Sequence, residues 1–515
     1  MLFNSYAFIF FFLPITLVAF FQLGRFNYYV AASWLMAASL FFYGWCNKAY
    51  VVLLLCSIIF NYTMGGWIAR EIAAAQSRLA KPLLITAVST NLLLLSYYKY
   101  SNFFLSHFHL TMGEVFLPLG ISFFTFTQIA FLVDMYRGEV KEHNFLRYGL
   151  FVTYFPHLIA GPLYHHKDIM PQFANPKIYR PHYRDLSIGF SIFFVGLFKK
   201  VVLADNIAPF VTPVFGAAHG SVLTFFESWA GVLAYTLQIY FDFSGYSDMA
   251  IGLARLMGVR LPLNFNSPYK ATNIVQFWRR WHMTLSRFLR DYLYIPMGGN
   301  RKGSVRRYLN LLITMFLGGL WHGAGWTFVI WGLLHGVYLA VNHAWHGVRR
   351  VLGHDLARTT RLGTFLARVI TFLAVVVAWV FFRANNLADA LHILQGMAGM
   401  NGFTLPATWQ PKLGKIGAAL AHLGVAFGDA AVPAKGGLLL MGALLIIAWS
   451  FPNTQQIFTR FEPALNFIDD RAKPDLLQKM LLWQPSVVWA LLIGCLSAFA
   501  IISINKYSEF LYFQF

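Results

Sequence analysis

The chain has 515 residues and a net charge of +20, with 58% hydrophobic and only 12% charged residues. Soluble domains carry about 25% charged residues, so a water-soluble globular protein is excluded, and no alternating pattern points to a β-barrel. Many separate apolar stretches approach the roughly 20 residues that cross a bilayer as a helix. Helices satisfy their own backbone in lipid, so the fold class is an all-α polytopic membrane protein. The basic excess reads chiefly as loop charge that sets orientation and not as a nucleic-acid surface.

In chain order, residues 6–24, 28–46 and 49–68 read as three spans with tight connections. The N-terminus lacks a basic leader and an obvious small-residue cleavage site, so the first span reads as retained. Arg70, Arg78 and Lys81 place the loop after the third span in the cytoplasm and the N-terminus outside. Residues 82–99 return outward. Residues 115–136 contain Pro118 and Gly120 and read as a broken or tilted helix ending at Asp134 and Arg137. Residues 147–165 carry Phe155-Pro156-His157 and Gly161-Pro162. Basic groups flank them on both sides (Lys141, Arg147, Lys167, Lys177, Arg180, Arg184), so they read as re-entrant, with His157 structural. Residues 185–204 and 221–243 are further spans. The second leads into Phe241-Asp242-Phe243-Ser244-Gly245-Tyr246-Ser247-Asp248, whose carboxylates fit either acid/base chemistry or pairing with Arg and capping of the next helix.

Residues 271–294 show apolar residues at helical spacing: Ile274, Phe277, Trp278, Trp281, Leu285, Phe288, Leu289 and Tyr292. Arg279, Arg280, Arg287 and Arg290 fall on the other side, so the stretch predicts one amphipathic helix lying at the cytoplasmic interface, with His282 at the seam between its faces. Gly298–Ser304 lacks the Gly-Lys-Ser/Thr ending of a phosphate loop. Residues 307–345 predict a helical hairpin or broken helix that Arg349, Arg350, Arg358 and Arg361 return to the cytoplasm. Residues 363–383, 436–451 and 485–505 are later spans, and Gly/Pro/Ala-rich 402–435 reads as a loop or short helical region. No soluble domain or long linker interrupts residues 1–515, which read as one membrane domain. Cys46, Cys56 and Cys495 lie in apolar stretches without metal or disulfide spacing and read as small core residues.

The hairpin carries Gly318-Gly319-Leu320-Trp321-His322-Gly323-Ala324-Gly325-Trp326 and continues to His335. An ionisable group at membrane depth is costly without a function or a partner, and imidazole exchanges protons near neutral pH. His322 is therefore the candidate for intramembrane chemistry, against a buried histidine donating to a carbonyl. No Gly-x-Ser-x-Gly elbow or His-Glu-x-x-His helix is present, and no metal site is expected.

The runs Trp278-Arg279-Arg280-Trp281-His282-Met283-Thr284-Leu285-Ser286, Arg290-Asp291-Tyr292-Leu293-Tyr294-Ile295-Pro296 and Gly318–Ala324 resemble the membrane-bound O-acyltransferase (MBOAT) family. The likeness is strongest to its bacterial alginate O-acetylation branch. Phe241–Asp248, Phe155-Pro156-His157 with Gly161-Pro162, and the closing Tyr512-Phe513-Gln514-Phe515 fit the same pattern, while 402–435 departs from it. The resemblance implies a ring of tilted helices with re-entrant and interfacial segments around a central funnel open to both faces. It implies His322 as the catalytic histidine and His282 as the second polar position. A cytoplasmic thioester, acetyl-CoA or an acyl-carrier, would supply the acetyl group, with no bound cofactor. An acceptor hydroxyl would arrive from outside the bacterial inner membrane, carried by an exopolysaccharide such as alginate or by a periplasmic relay acetyltransferase; cellulose or another surface glycan is the alternative.

A positioned imidazole that takes the hydroxyl proton contributes about 10²–10⁴-fold. Arg279, Arg280, Arg287 and Arg290, with Arg301 and Lys302, are the candidates for holding donor phosphates. Two rivals from other classes are a haem protein using His322 and His335, thirteen residues apart, and a polysaccharide exporter without covalent chemistry.

Overall fold

The computed structural model describes residues 1–504 except 46, 75–77, 114, 141–142, 218–221, 357–358, 434, 466 and 468–475. Cys46, Lys141, Arg358 and the closing Tyr512–Phe515 motif lie outside the described residues. Among the described residues, five helices are long and apolar enough to cross a membrane: Phe8–Phe26, Ala49–Ala73, Ala80–Ser106, Tyr183–Phe210 and Arg361–Arg383. Ile121–Tyr136, Lys435–Ser450 and Val487–Ile502 are shorter and apolar. Local chemistry sets several boundaries. Asn27 is extended, and its side chain accepts from the Tyr29 amide, which restarts the chain as Tyr28–Gly44. Thr224 and Glu227 form a reciprocal capping box that opens the 32-residue Phe225–Leu256 helix.

That helix runs thirteen residues past its expected end at 243 and is buried almost throughout. It packs on Tyr183–Phe198 through two glycine pairs. A Cβ at Gly245 would lie 2.8 Å from the Gly196 carbonyl, and one at Gly252 would lie 2.7 Å from the Gly189 carbonyl. Small residues at the same seven-residue interval on both helices let the backbones approach, a packing mode suited to lipid. The approach brings Asp242 and Asp248 to two lysines at the end of the partner helix. Lys200 bridges Asp242 and Asp205, and Lys199 lies 2.8 Å from Asp248. Asp248 also accepts from Thr454 Oγ1 at 2.6 Å and Gln455 Nε2 at 3.0 Å. The carboxylates are thus ion-paired, with lysine in the place expected for arginine.

Residues 147–165 form two short helices, Phe145–Thr153 and Phe155–Leu158, broken at Tyr154 ahead of Pro156, followed by irregular chain that is buried to Tyr164. His157 Nδ1 donates to the Pro162 carbonyl at 2.8 Å, a structural bond that closes this turn.

Three expectations are corrected. Residues 271–294 are not one helix. They divide into Ile274–Trp278 and Met283–Leu289, with a π-helical Arg290–Tyr294 continuation, because the backbone turns left-handed at His282 (φ 42°). Residues 402–435 hold a two-stranded parallel sheet, Phe403–Pro406 beside Val425–Gly428, as well as short helices. Cys56 and Cys495 are exposed on the outer surfaces of their apolar helices, where lipid would cover them, and are not core residues.

Replacing Gly245 by valine is expected to force the two central helices apart, costing about 1–3 kcal/mol by overpacking. Thermal unfolding in detergent should show a lowered Tm, whereas Gly442→Ala, where nothing lies near the added Cβ, should leave it unchanged.

Candidate functional site

The buried apolar residues form two clusters. Trp321, Leu285 and Leu289 belong to one; Trp331, Met315, Phe277, Trp278 and Trp281 belong to the other. The chain passes between the two cores several times, and two of these passages lie between Trp281 and Leu285 and between Trp321 and Trp331. His282 and His322 occupy these two of the crossings. Their ring centroids are 6.3 Å apart.

His322 is the last residue of the Gly303–His322 helix, which folds back through Gly323–Gly325 into Trp326–Val351. The hairpin closes at Gly319 and Gly332. A Cβ at Gly319 would collide with the Phe328 carbonyl, and one at Gly332 with the Met315 carbonyl. This crossing places the His322 ring against Trp321 at 4.8 Å, Trp331 at 5.1 Å and Phe382 at 5.1 Å, all edge-on. His322 Nδ1 is buried and has no hydrogen-bond partner among the described residues. The bland alternative, a histidine tied to a carbonyl through Nδ1, is therefore not what this ring does. His322 keeps 7% of its surface exposed, whereas His282 and His335 have none.

His282 is held by Asn264. Asn264 Oδ1 accepts from His282 Nδ1 at 3.1 Å, from Thr284 Oγ1 at 2.8 Å and from the Thr284 amide at 3.3 Å. The Asn264 carbonyl accepts from the Met283 amide at 3.0 Å. Its amide nitrogen donates to Ser247 Oγ at 3.2 Å, which fixes the oxygen toward the histidine. His282 thus carries its proton on Nδ1 and presents a lone pair at Nε2, which has no partner among the described residues. His335, a ligand in the haem alternative, instead accepts from Trp278 Nε1 at 3.3 Å inside an aromatic box with Phe277 and Trp331.

Thr284 also lines a small cleft of about 10 Å³ with Thr127, Tyr164, His165, Phe288 and Tyr292. Phe288 stacks on Phe126 at 4.5 Å, and Phe126 stacks on Trp321 at 5.4 Å, so an aromatic wall connects the cleft to His322. At the rim, Tyr292 donates to Asp134 at 2.8 Å and accepts from His165 Nδ1 at 2.9 Å. Burial, with the Arg287 guanidinium and despite Asp168, Asp134 and Asp291, pushes His165 down to about 4.

The four arginines do not converge. Arg279 is exposed, and Arg280 turns to the Asn266 carbonyl. Arg287 pairs with Asp168 at 2.8 Å, and both Arg287 and Arg290 reach Asp291. Arg301 and Lys302 are exposed.

Fold and site together define a polytopic helical membrane enzyme. Residues 30–382 match the profile of the MBOAT, membrane-bound O-acyltransferase, family, and the chain belongs to that family. It is an O-acyltransferase. It is 46% identical over 439 residues to the peptidoglycan O-acetyltransferase of Helicobacter pylori, covering 79% of this chain and 81% of that protein. It is 41% identical over 425 residues to the probable alginate O-acetylase AlgI of Pseudomonas aeruginosa, covering 80% and 76%. It is also similar to the teichoic acid D-alanyltransferase of Streptococcus thermophilus, at 26% over 289 residues, covering 51% and 68%.

Sequence reasoning passed over Asn264 and Lys99. The turn-forming run Asn264-Phe265-Asn266-Ser267-Pro268 was the available signal for the first. A lone lysine inside the Ala80–Ser106 span was the signal for the second.

Asn264→Leu should free the His282 ring and the 282–284 turn. Turnover is expected to fall by about 10²-fold, the scale of a 1 Å misplacement, with protein level in the membrane unchanged. His165 stays neutral in the folded protein down to about 4, whereas an unfolded histidine takes up a proton below 6.5. Its share of the stability is therefore complete above pH 6.5 and lost as pH falls from 6.5 toward 4. His165→Gln should flatten the Tm-versus-pH curve in that window.

Proposed function

We propose that the protein moves an acetyl group from a cytoplasmic thioester across the bacterial inner membrane to a glycan hydroxyl on the outer side, with His322 as the general base. The observation that carries this reading is the pair of buried imidazoles 6.3 Å apart, each with a ring nitrogen lacking a partner among the described residues, on the seam between two cores.

The acceptor hydroxyl gives its proton to His322 as its oxygen attacks the acetyl carbonyl. The C–S bond breaks, and the proton passes from His322 to the leaving thiolate. His282 offers an acceptor at Nε2, which suits an amide N–H of the donor's arm; stabilising a thiolate or oxyanion would first require that nitrogen to gain a proton. The thioester approaches on the side of Thr284 and Tyr292, where Arg137 lies 5.4 Å from the Tyr292 ring and Arg287 stands near, with the phosphates outside. Arg279, Arg280 and Arg290, although they do not converge, add positive charge that favours an anionic carrier, acetyl-CoA or an acyl-carrier phosphopantetheine. Residues 1–515 act as one membrane domain. A periplasmic acetyltransferase receives or completes the transfer, and polysaccharide machinery supplies the polymer.

An alginate-like exopolysaccharide is the first acceptor considered. Peptidoglycan is the second reading, favoured by the 46% identity to a peptidoglycan O-acetyltransferase.

In a strain lacking its own copy, His322→Ala should abolish base-releasable acetate on the polymer at normal protein level, and His282→Ala should reduce it strongly. Retained acetylation in His322→Ala would overturn the assignment. Acetate found on muropeptides and not on secreted polymer would select the peptidoglycan reading. Loss of polymer itself, with acetylation intact, would indicate an exporter.

A further inference from the structure

An α-helix leaves its last four carbonyls without partners. The Gly303–His322 helix ends where this is hardest to repair, since Gly323 and Gly325 are extended and return no full set of amides. The Gly319 carbonyl accepts from the Gly323 amide at 3.4 Å. The next three are met from a different helix, more than 200 residues away in sequence. Tyr100 Oη donates to the Leu320 carbonyl at 2.8 Å. Lys99 Nζ donates to the Trp321 carbonyl and, at 3.1 Å, to the carbonyl of His322 itself. The same ammonium lies 5.9 Å from the Trp321 ring. Eight residues beyond Lys99, His107 Nε2 accepts from Trp326 Nε1 at 3.3 Å, so the outer end of Ala80–Ser106 grips both sides of the 323–325 turn.

A lysine inside a span is expensive and is retained where it has a partner or a task. A cation at a helix C-terminus also meets the negative end of the helix dipole. We infer that Lys99 is a positioning residue for the acyl-transfer reaction: with Tyr100 it clamps the C-terminal carbonyls of the Gly303–His322 helix and fixes the place of the His322 ring. The inference rests on the reading of His322 as the base. Lys99 acts through the backbone of residues 321 and 322 and takes no part in proton transfer.

The test compares Lys99→Met, Lys99→Arg, Tyr100→Phe and His322→Ala in the full chain. Acetate per protein molecule is measured in cells, and amide hydrogen exchange is measured on purified protein in detergent. Lys99→Met should lower acetylation at least tenfold and speed exchange several-fold in the 319–326 peptide alone. Lys99→Arg should bring both within threefold of wild type, and Tyr100→Phe should give a smaller increase confined to the same peptide. Wild-type exchange and acetylation in Lys99→Met would overturn the inference. So would faster exchange across the whole chain in both Lys99→Met and Tyr100→Phe, or Lys99→Arg behaving like Lys99→Met. The exchange readout does not depend on the chemistry of His322. Retained acetylation in His322→Ala with a locally loosened Lys99→Met would sink the base assignment and leave the clamp standing.

Discussion

Backbone that leaves the helix inside lipid must find partners for its amides and carbonyls, because no water is there to supply them. This chain leaves the helix at two places that matter for chemistry, 279–282 and 323–325. Each is repaired by side chains from a distant segment. Asn264 accepts from His282, Met283 and Thr284 at the first, and Lys99 with Tyr100 covers three carbonyls at the second. The polar groups that hold the two histidines are thus the ones that make irregular backbone tolerable there.

The two crossings also lie where two apolar cores meet. A side chain within a single core is enclosed on all sides, as His335 is by its aromatic box. A side chain on the boundary between cores can be reached along that boundary without opening either one. Thr284, which lines the small cleft, adjoins the Trp281–Leu285 crossing, and His322 keeps a residual exposure at the other. Glycine contacts at Gly319 and Gly332, and between Gly196 and Gly245, keep the backbones close enough to fix the boundary in place.

Much of this was legible in the sequence, and the misses have definite causes. Long apolar runs marked the five helices able to span, though 28–46 and 221–243 are not among them, and the Gly318–Trp326 run marked the hairpin and His322, since glycine and histidine are conspicuous in an apolar stretch. Apolar spacing at 271–294 suggested one helix because the three–four rhythm continues through the break. Spacing cannot tell that Trp281 and Leu285 face different cores. Asp242 and Asp248 were recognisable as a pair in need of cations, but Lys199 and Lys200 became their partners only through a glycine-mediated helix crossing. Asn264 and Lys99 carried almost no local signal, because their meaning lies in contacts 18 and 223 residues away. The strands in 402–435 are four residues each, too short to establish a periodicity.

The left-handed backbone at His282 has a bearing on how this position can vary over evolutionary time. Branched and bulky side chains are strained in that conformation, whereas asparagine, aspartate and histidine accept it readily. The site must also donate a hydrogen bond to Asn264 Oδ1, which aspartate in its ionised form cannot do. Geometry and bonding together leave a very short repertoire, with asparagine the natural exchange for histidine: it would keep the turn and the donor while giving up the ring. Divergence at this residue is therefore channelled by backbone shape before selection on chemistry begins.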